Sequence, residues 1–148
     1  MNDRYLYRAK RTDIWEWVEG NIVWSDDTDD DYKAIIIPTT DSNMFTRGGA
    51  GGDLGFENWC RVDPTTICQC TGLKDKNGNL IWENDIIEAH LDNLFPEDIS
   101  RFHVLWKDYS FKIRLEKELY DDFCEDVSKL FEVAGNIFDN PELLEVGE

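Results

Sequence analysis

Asn77-Gly78 sits inside the stretch TGLKDKNGNLIWENDII, Thr71 to Ile87, between two runs that favour extended chain. This dipeptide suits the left-handed backbone angles of a type I′ hairpin turn better than any other, so it predicts two antiparallel strands in fixed register. Asp75 can accept hydrogen bonds from amides one or two residues on. Leu73 then packs on one side with Ile81 near it on the returning strand, and Lys74, Lys76 and Asn79 stay in water.

The same residues invite a metal reading, because Asp75, Asn77 and Asn79 alternate like the first ligands of a calcium loop. With Asp75 at position one, however, position six is Leu80 where glycine is needed, and position twelve is Ile86 where glutamate is needed. The flanks, Thr71-Gly72 and Ile81-Trp82, favour extended chain over helix. The hairpin explains the polar residues and the metal loop does not.

Other short runs carry the same signature. Tyr5 to Trp24 alternates in the manner of a β-meander, with turn signals at Arg11 to Asp13 and at Gly20-Asn21. Tyr32 to Ile37 is an apolar core strand closed by Pro38. Asp63-Pro64 opens a turn into an extended Thr65 to Cys70. Ile86 to Leu91 is a strand, Asp92 to Ser100 a loop, and Phe102 to Leu115 a hairpin turning near Lys107 to Tyr109. In that hairpin Phe102, Val104 and Trp106 share one face, as do Phe111, Ile113 and Leu115 on the return strand.

The period then lengthens. Leu115, Leu119, Phe123, Val127 and Phe131 recur every four residues, which predicts an amphipathic helix within Glu116 to Leu130. Phe131 to Phe138 returns to strand around Gly135, and Asn140-Pro141-Glu142 has the cap, first-turn proline and early acid of a final helical turn. The fold class expected is mainly β, with antiparallel barrel-like strands, an SH3-like barrel element in the C-terminal half, one short amphipathic helix and a C-terminal helical turn. The 148 residues suit one domain, with a division into an N-terminal β subdomain (1–68) and a C-terminal barrel (69–148) sharing a core as the refinement.

Charge bears on partners. The formal net charge is −17, which disfavours ordinary nucleic-acid binding, where cations must replace counterions on phosphates. Asp3 to Arg11 runs the other way, with Arg4, Arg8, Lys10 and Arg11 beside Tyr5, Tyr7 and, further on, Trp15. SDDTDDD, Ser25 to Asp31, holds five aspartates and reads as a solvated loop or as phosphate-like charge, and Glu116 to Asp126 is also acidic. No apolar run is long enough to cross a bilayer and the first residues do not resemble a signal peptide, so a cytoplasmic chain is expected.

Candidate chemistry is sparse. Cys68 and Cys70 would share a strand face and could join Cys60, Cys124, His90 or His103 around zinc, but one C-x-C without a second pair falls short of the usual pattern. The four cysteines read instead as reduced thiols in a cytoplasmic chain. The glycine-rich RGGAGGDLG, Arg47 to Gly55, reads as a loop and lacks the Lys-Ser/Thr of a phosphate-binding loop. No catalytic set, metal or cofactor is expected.

QCTGLKDKNGNLIWENDII, Gln69 to Ile87, resembles the signature of the YopX-like proteins of bacteriophages and prophages, whose pattern runs roughly Q-Y-T-G-L-K-D-K-N-G-K-x-I-Y-E-G-D-I-V. YRAK (Tyr7 to Lys10), WVEGNIV (Trp17 to Val23), VDPTTICQCTG (Val62 to Gly72) and VAGNIFDNPELL (Val133 to Leu144) are similar to other parts of that family. Cys70 stands where the family usually has an aromatic residue and Asn84 where it usually has glycine. Asn84 is expected to keep the left-handed turn. The resemblance implies a mostly β fold and supplies no reaction. It marks Gly72, Leu73, Asp75, Asn77, Gly78, Asp85, Gly135, Asn136, Asn140 and Pro141 as signature residues of structural character, with Gly72, Gly78 and Gly135 giving backbone freedom. A phage or prophage accessory protein that binds another protein, a host protein or a second copy of itself, is the leading expectation. A nucleic-acid-binding β-barrel is the alternative.

Overall fold

A computed structural model describes residues 5–24, 33–39, 44–47, 53–56, 58–91, 94–95, 97–116 and 119–144. Internal contacts divide the chain into two units, one spanning Tyr5–Gln69 and the other Cys70–Glu148. Both are built of antiparallel strands, so the mainly β expectation holds.

In the first unit, β1 (Tyr7–Lys10), β2 (Trp17–Trp24), β3 (Ala34–Pro38) and β6 (Cys60–Arg61) lie in the order β6-β3-β2-β1, and the start of β7 (Cys68–Lys74) pairs with β1. Ala9, Ala34, Ile36 and Val62 form its core, with Val18, Ile22 and Ile67 packed against them. Gly20-Asn21 is not the turn that its composition suggests. The strand runs straight through it, because the Ile37 carbonyl passes so close to Gly20 that any Cβ there would overlap it. The ends of the glycine-rich segment pair as well: β4 (Met44–Arg47) and β5 (Asp53–Phe56) form a two-stranded ladder in place of a continuous loop. Residues 48–52, like Arg4 and the Asp26 to Asp31 loop, lie outside the described residues. Pro64–Thr66 makes a short 3-10 turn capped by Asp63, whose Oδ1 accepts from the Thr65 N–H at 2.9 Å, so the extended segment begins only at Cys68.

In the second unit, the rest of β7 pairs with β8 (Leu80–Trp82). A five-stranded sheet follows, formed by β9 (Asp85–Ala89), β10 (Ser100–Lys107), β11 (Ser110–Glu116), β12 (Leu119–Asp122) and β13 (Glu132–Asn136). Its order, β12-β11-β10-β9-β13, leaves β12 and β13 at the two ends, so the barrel-like strands form an open ladder. Ile81, Ile87, Ala89, Val104, Ile113, Phe123 and Phe131 are its core, and Leu73, Phe102, Phe111, Val127 and Val133 pack on them.

The expected helix over Glu116 to Leu130 shrinks to one turn, α1 (Glu125–Ser128), and Leu119–Asp122 is a strand. A four-residue period cannot separate the two states, since positions four apart share a face on a strand as well as on a helix. What distinguishes them is pairing: β12 runs antiparallel to β11, with Ile113 opposite Asp121 and Arg114 opposite Tyr120. Lys112 Nζ bonds Asp122 Oδ1 at 2.8 Å, and the Arg114 guanidinium lies 5.9 Å from the Tyr120 ring centroid.

Candidate functional site

The signature residues form a connected frame in the second unit. The loop between β7 and β8 is a three-residue one: the Gly78 N–H donates to the Asp75 carbonyl at 3.0 Å and the Asp75 N–H to the Asn79 carbonyl at 2.8 Å. Gly78 has φ 85° whereas Asn77 stays out of the left-handed region, which is a type I turn closed by a glycine bulge and not the type I′ turn expected of the dipeptide. Asp75 is only 4% exposed. Its Oδ1 accepts from the Asn77 and Asn79 N–H groups, both at 2.9 Å, and its Oδ2 from the Val133 N–H at 3.0 Å. Burial alone would raise its pKa, but these donors outweigh burial and hold it below the usual value. Every carboxylate oxygen is thus turned inward, away from the ligand role of a calcium loop.

Asp85 is buried, and its Oδ2 accepts from the Trp82 N–H at 2.8 Å across a tight turn. Asn84, inside that turn, has the expected left-handed backbone, φ 70°. Its Oδ1 lies 2.8 Å from His103 Nε2, within hydrogen-bond distance. Burial first, and the nearby Arg114 second, hold the His103 pKa below its usual value. Asn136 Oδ1 accepts from the Phe138 and Asp139 N–H groups at 3.0 and 2.9 Å, and Asn140 Oδ1 accepts from the Asn136 N–H at 3.3 Å. Pro141 begins the closing 3-10 turn, Pro141–Leu144. Gly72 has φ 80°, a value that favours glycine; Gly135 has no left-handed backbone and needs space instead, since a Cβ would overlap the Asn140 side chain.

A different kind of site stands in the first unit, on the turn between β1 and β2. The Trp15 N–H donates to the Arg11 carbonyl at 3.0 Å and the Thr12 N–H to the Arg61 carbonyl at 3.1 Å. These bonds fix a turn in which Trp15 takes φ 54° while remaining 53% exposed. Lys10 is 6% exposed; its Nζ donates to the Trp15 carbonyl at 3.4 Å and lies 4.9 Å from the Trp17 ring centroid. Arg8 covers the same Trp17 ring at 4.5 Å. Arg11 is bound by Asp13, Nη2 to Oδ2, at 2.6 Å. Three cations of the expected basic stripe are therefore engaged with partners inside the unit. Ile14, Trp15 and Trp59 remain exposed, and a cleft of about 190 Å³ runs between Arg11–Asp13 and Trp59–Arg61.

The strongest feature missed in the sequence is a row of basic side chains, two of them ion-paired. On the outward face of the five-stranded sheet, Arg101, His103, Leu105 and Lys107 occupy alternate positions of β10, and Lys112 and Arg114 alternate positions of β11. The signal was the polar half of the alternation whose apolar half marks the core. Arg101 Nε bonds Glu88 Oε2 at 2.9 Å, and Lys107 Nζ lies 4.9 Å from the Tyr120 ring centroid.

All four cysteines are unbridged thiols. Cys68 and Cys70 are buried; Cys68 Sγ donates to the Thr66 carbonyl at 3.2 Å, and Cys70 Sγ accepts from the Gly72 N–H at 3.4 Å. Among the described residues no group of three or more His, Cys, Asp or Glu side chains converges to hold a metal ion, and no helix is long and apolar enough to cross a membrane.

No curated protein matches this chain. Among solved structures, the crystal structure of protein EF1440 from Enterococcus faecalis is similar over 93% of this chain and 96% of its own, at 28% identity and a TM-score of 0.62. The family model described as YopX protein matches residues 6–145, from β1 through the closing 3-10 turn, and the chain therefore belongs to the YopX protein family.

Proposed function

We propose that this protein is a phage or prophage accessory protein that acts by binding another protein, with the β1–β2 turn as its contact surface. The observation that carries this reading is Trp15, a bulky side chain kept half exposed on a left-handed backbone by hydrogen bonds from its own turn. Such a conformation costs on the order of 1–2 kcal/mol, and strain of this kind concentrates where a side chain must be presented. Trp15 and Trp59 are both exposed tryptophans of this unit, the residue type most enriched among interface anchors.

The nucleic-acid alternative is less well supported. Releasing counterions from phosphates needs accessible cations, and Lys10 is buried beside Trp15 and Trp17 while Arg11 is tied to Asp13. The protein reading expects the partner in the cytoplasm of a bacterial cell. Its test is affinity capture from bacterial lysate with the wild-type chain and with Trp15→Ala/Trp59→Ala. A partner retained by the first and lost by the second is the expected result; an identical set on both sinks the surface. A gel shift at about 50 mM salt, where electrostatic contacts are strong, tests the alternative, and a retarded band there would favour it.

A further inference from the structure

Asn77 is the one asparagine in the sequence that is followed by glycine, and both residues of the pair are exposed. Such a pair can react with itself. The backbone nitrogen of Gly78, on losing its proton, attacks Cγ of Asn77; the new N–C bond closes a succinimide ring, the Cγ–Nδ2 bond breaks, and ammonia leaves. Water then opens the ring at either carbonyl, so the net change is one water taken up and one ammonia released, with an aspartate or an isoaspartate left in place of the amide. Glycine favours the closure because it sets no Cβ beside the attacking nitrogen, and the space where a Cβ would stand on Gly78 is open. The loop nevertheless engages each atom that the reaction must move. The Gly78 N–H, whose proton has to leave, donates to the Asp75 carbonyl at 3.0 Å. Nδ2 of Asn77, the leaving group, donates to Glu132 Oε2 on β13 at 3.2 Å. The Asn77 N–H donates to Asp75 Oδ1 at 2.9 Å, which fixes the backbone between them.

We propose that Asn77 is a deamidation site kept latent by the fold: Asp75 holds its nucleophile, Glu132 holds its leaving group, and the reaction proceeds when the loop between β7 and β8 lifts from β13. Lifting is a local opening, because the loop is joined to that strand by few bonds. Besides the Asn77–Glu132 contact they are the Lys76 N–H on the Phe131 carbonyl at 2.9 Å and the Val133 N–H on Asp75 Oδ2 at 3.0 Å. The product cannot restore the clasp. An aspartate in place of Asn77 sets a carboxylate against Glu132 where a donor stood, and an isoaspartate also lengthens the backbone of a loop whose register Asp75 fixes. Release of ammonia makes the change irreversible, so a chain whose loop has been open carries a lasting mark of it. This property is independent of the Trp15 surface, and either can fail alone.

Peptide mass spectrometry of the full chain incubated at mildly alkaline pH, with isoaspartate scored by its enzymatic methylation, measures the reaction. Deamidation at Asn77 should be at least about tenfold slower in the folded chain than in the same chain held unfolded in urea, as expected when two hydrogen bonds must break first. Asn79, in the same loop but followed by Leu80, should lag behind Asn77 in the unfolded chain. Glu132→Ala, confirmed folded by circular dichroism, should speed the folded-state reaction about threefold, the loss of one hydrogen bond. Glu132→Gln keeps an acceptor oxygen for Nδ2 and should stay near the wild-type rate, a rescue that a general loosening of the fold would not give. Equal rates in the folded and unfolded chains, no reaction at Asn77 in the unfolded chain, or a folded-state rate that Glu132→Ala leaves unchanged would each overturn the proposal. Should Glu132→Ala misfold, the ratio of folded to unfolded rates in the wild-type chain decides in its place.

Discussion

The Val133 N–H on β13 donates to Oδ2 of Asp75 at 3.0 Å, joining residues 58 positions apart. β13 is the end strand of its sheet, and the carboxylate takes an amide that no neighbouring strand takes. Asp75→Asn keeps an oxygen for Asn77 and Asn79 but can set an NH₂ group against Val133, leaving a donor facing a donor. A loss of about 2 kcal/mol is expected, and urea unfolding with an unchanged slope checks it.

The same carboxylate sets an acid limit. Its folded pKa lies below the unfolded value, so its contribution is complete above the unfolded pKa, near 4, and is lost as pH falls through the folded pKa. Unfolding free energy measured between about pH 5 and pH 2 should fall less steeply for Asp75→Asn than for wild type. Parallel curves would remove Asp75 from the acid response.

His103 acts in a higher window with the same sign. Because burial and Arg114 depress its folded pKa, the unfolded chain takes up the proton first as pH falls below about 6.5, and stability declines until the folded histidine also titrates. His103→Gln should flatten the stability curve from about pH 6.5 downward to the point where the carboxylates begin to protonate. A proton resonance for His103 titrating at or above the ordinary histidine value would contradict this.

What could be read from the chain follows from the range of each interaction. The hairpins, the core strand Ala34–Pro38 and the left-handed Asn84 depend on neighbours in sequence, and alternation and turn residues reported them. The turn types did not follow. Type I′ geometry appears at Asp108-Tyr109, with φ of 52° and 67°, while Asn77-Gly78 is drawn into a three-residue loop by the Asp75 carboxylate and its distant strand. The helix near Leu119 failed because the pairing of that segment with β11 is not visible in a local period. The Trp15 turn was hidden because it is tied to Arg61, which is remote in sequence, and the basic row on β10 and β11 because only pairing shows which of its residues lie side by side.

Gly20 and Gly78 separate two reasons for glycine. Gly78 needs its φ of 85° but has open space around it, so Gly78→Ala should cost about 1–2 kcal/mol and leave the fold intact. Gly20 faces the Ile37 backbone, so Gly20→Ala must push β3 away from β2, and a larger loss, about 3 kcal/mol or more, is expected. Thermal unfolding of the two variants ranks them directly, and the reverse order would refute the close approach.

Trp15 allows a sharper comparison, because its backbone and its ring can be tested apart. Trp15→Ala and Trp15→Gly both delete the indole, so both should lose whatever partner the wild-type chain retains. They differ in backbone only: alanine keeps the left-handed strain at φ 54° and glycine removes it. At an ordinary strand position alanine is the more stable of the two by about 0.5–1 kcal/mol. Here glycine should be the more stable by about 1 kcal/mol, an inverted order that chemical denaturation can resolve. If alanine proves the more stable, the turn relaxes once the ring is gone. The indole, held by Lys10 and the ring's own contacts, would then be the cause of the strained backbone and not something presented by it.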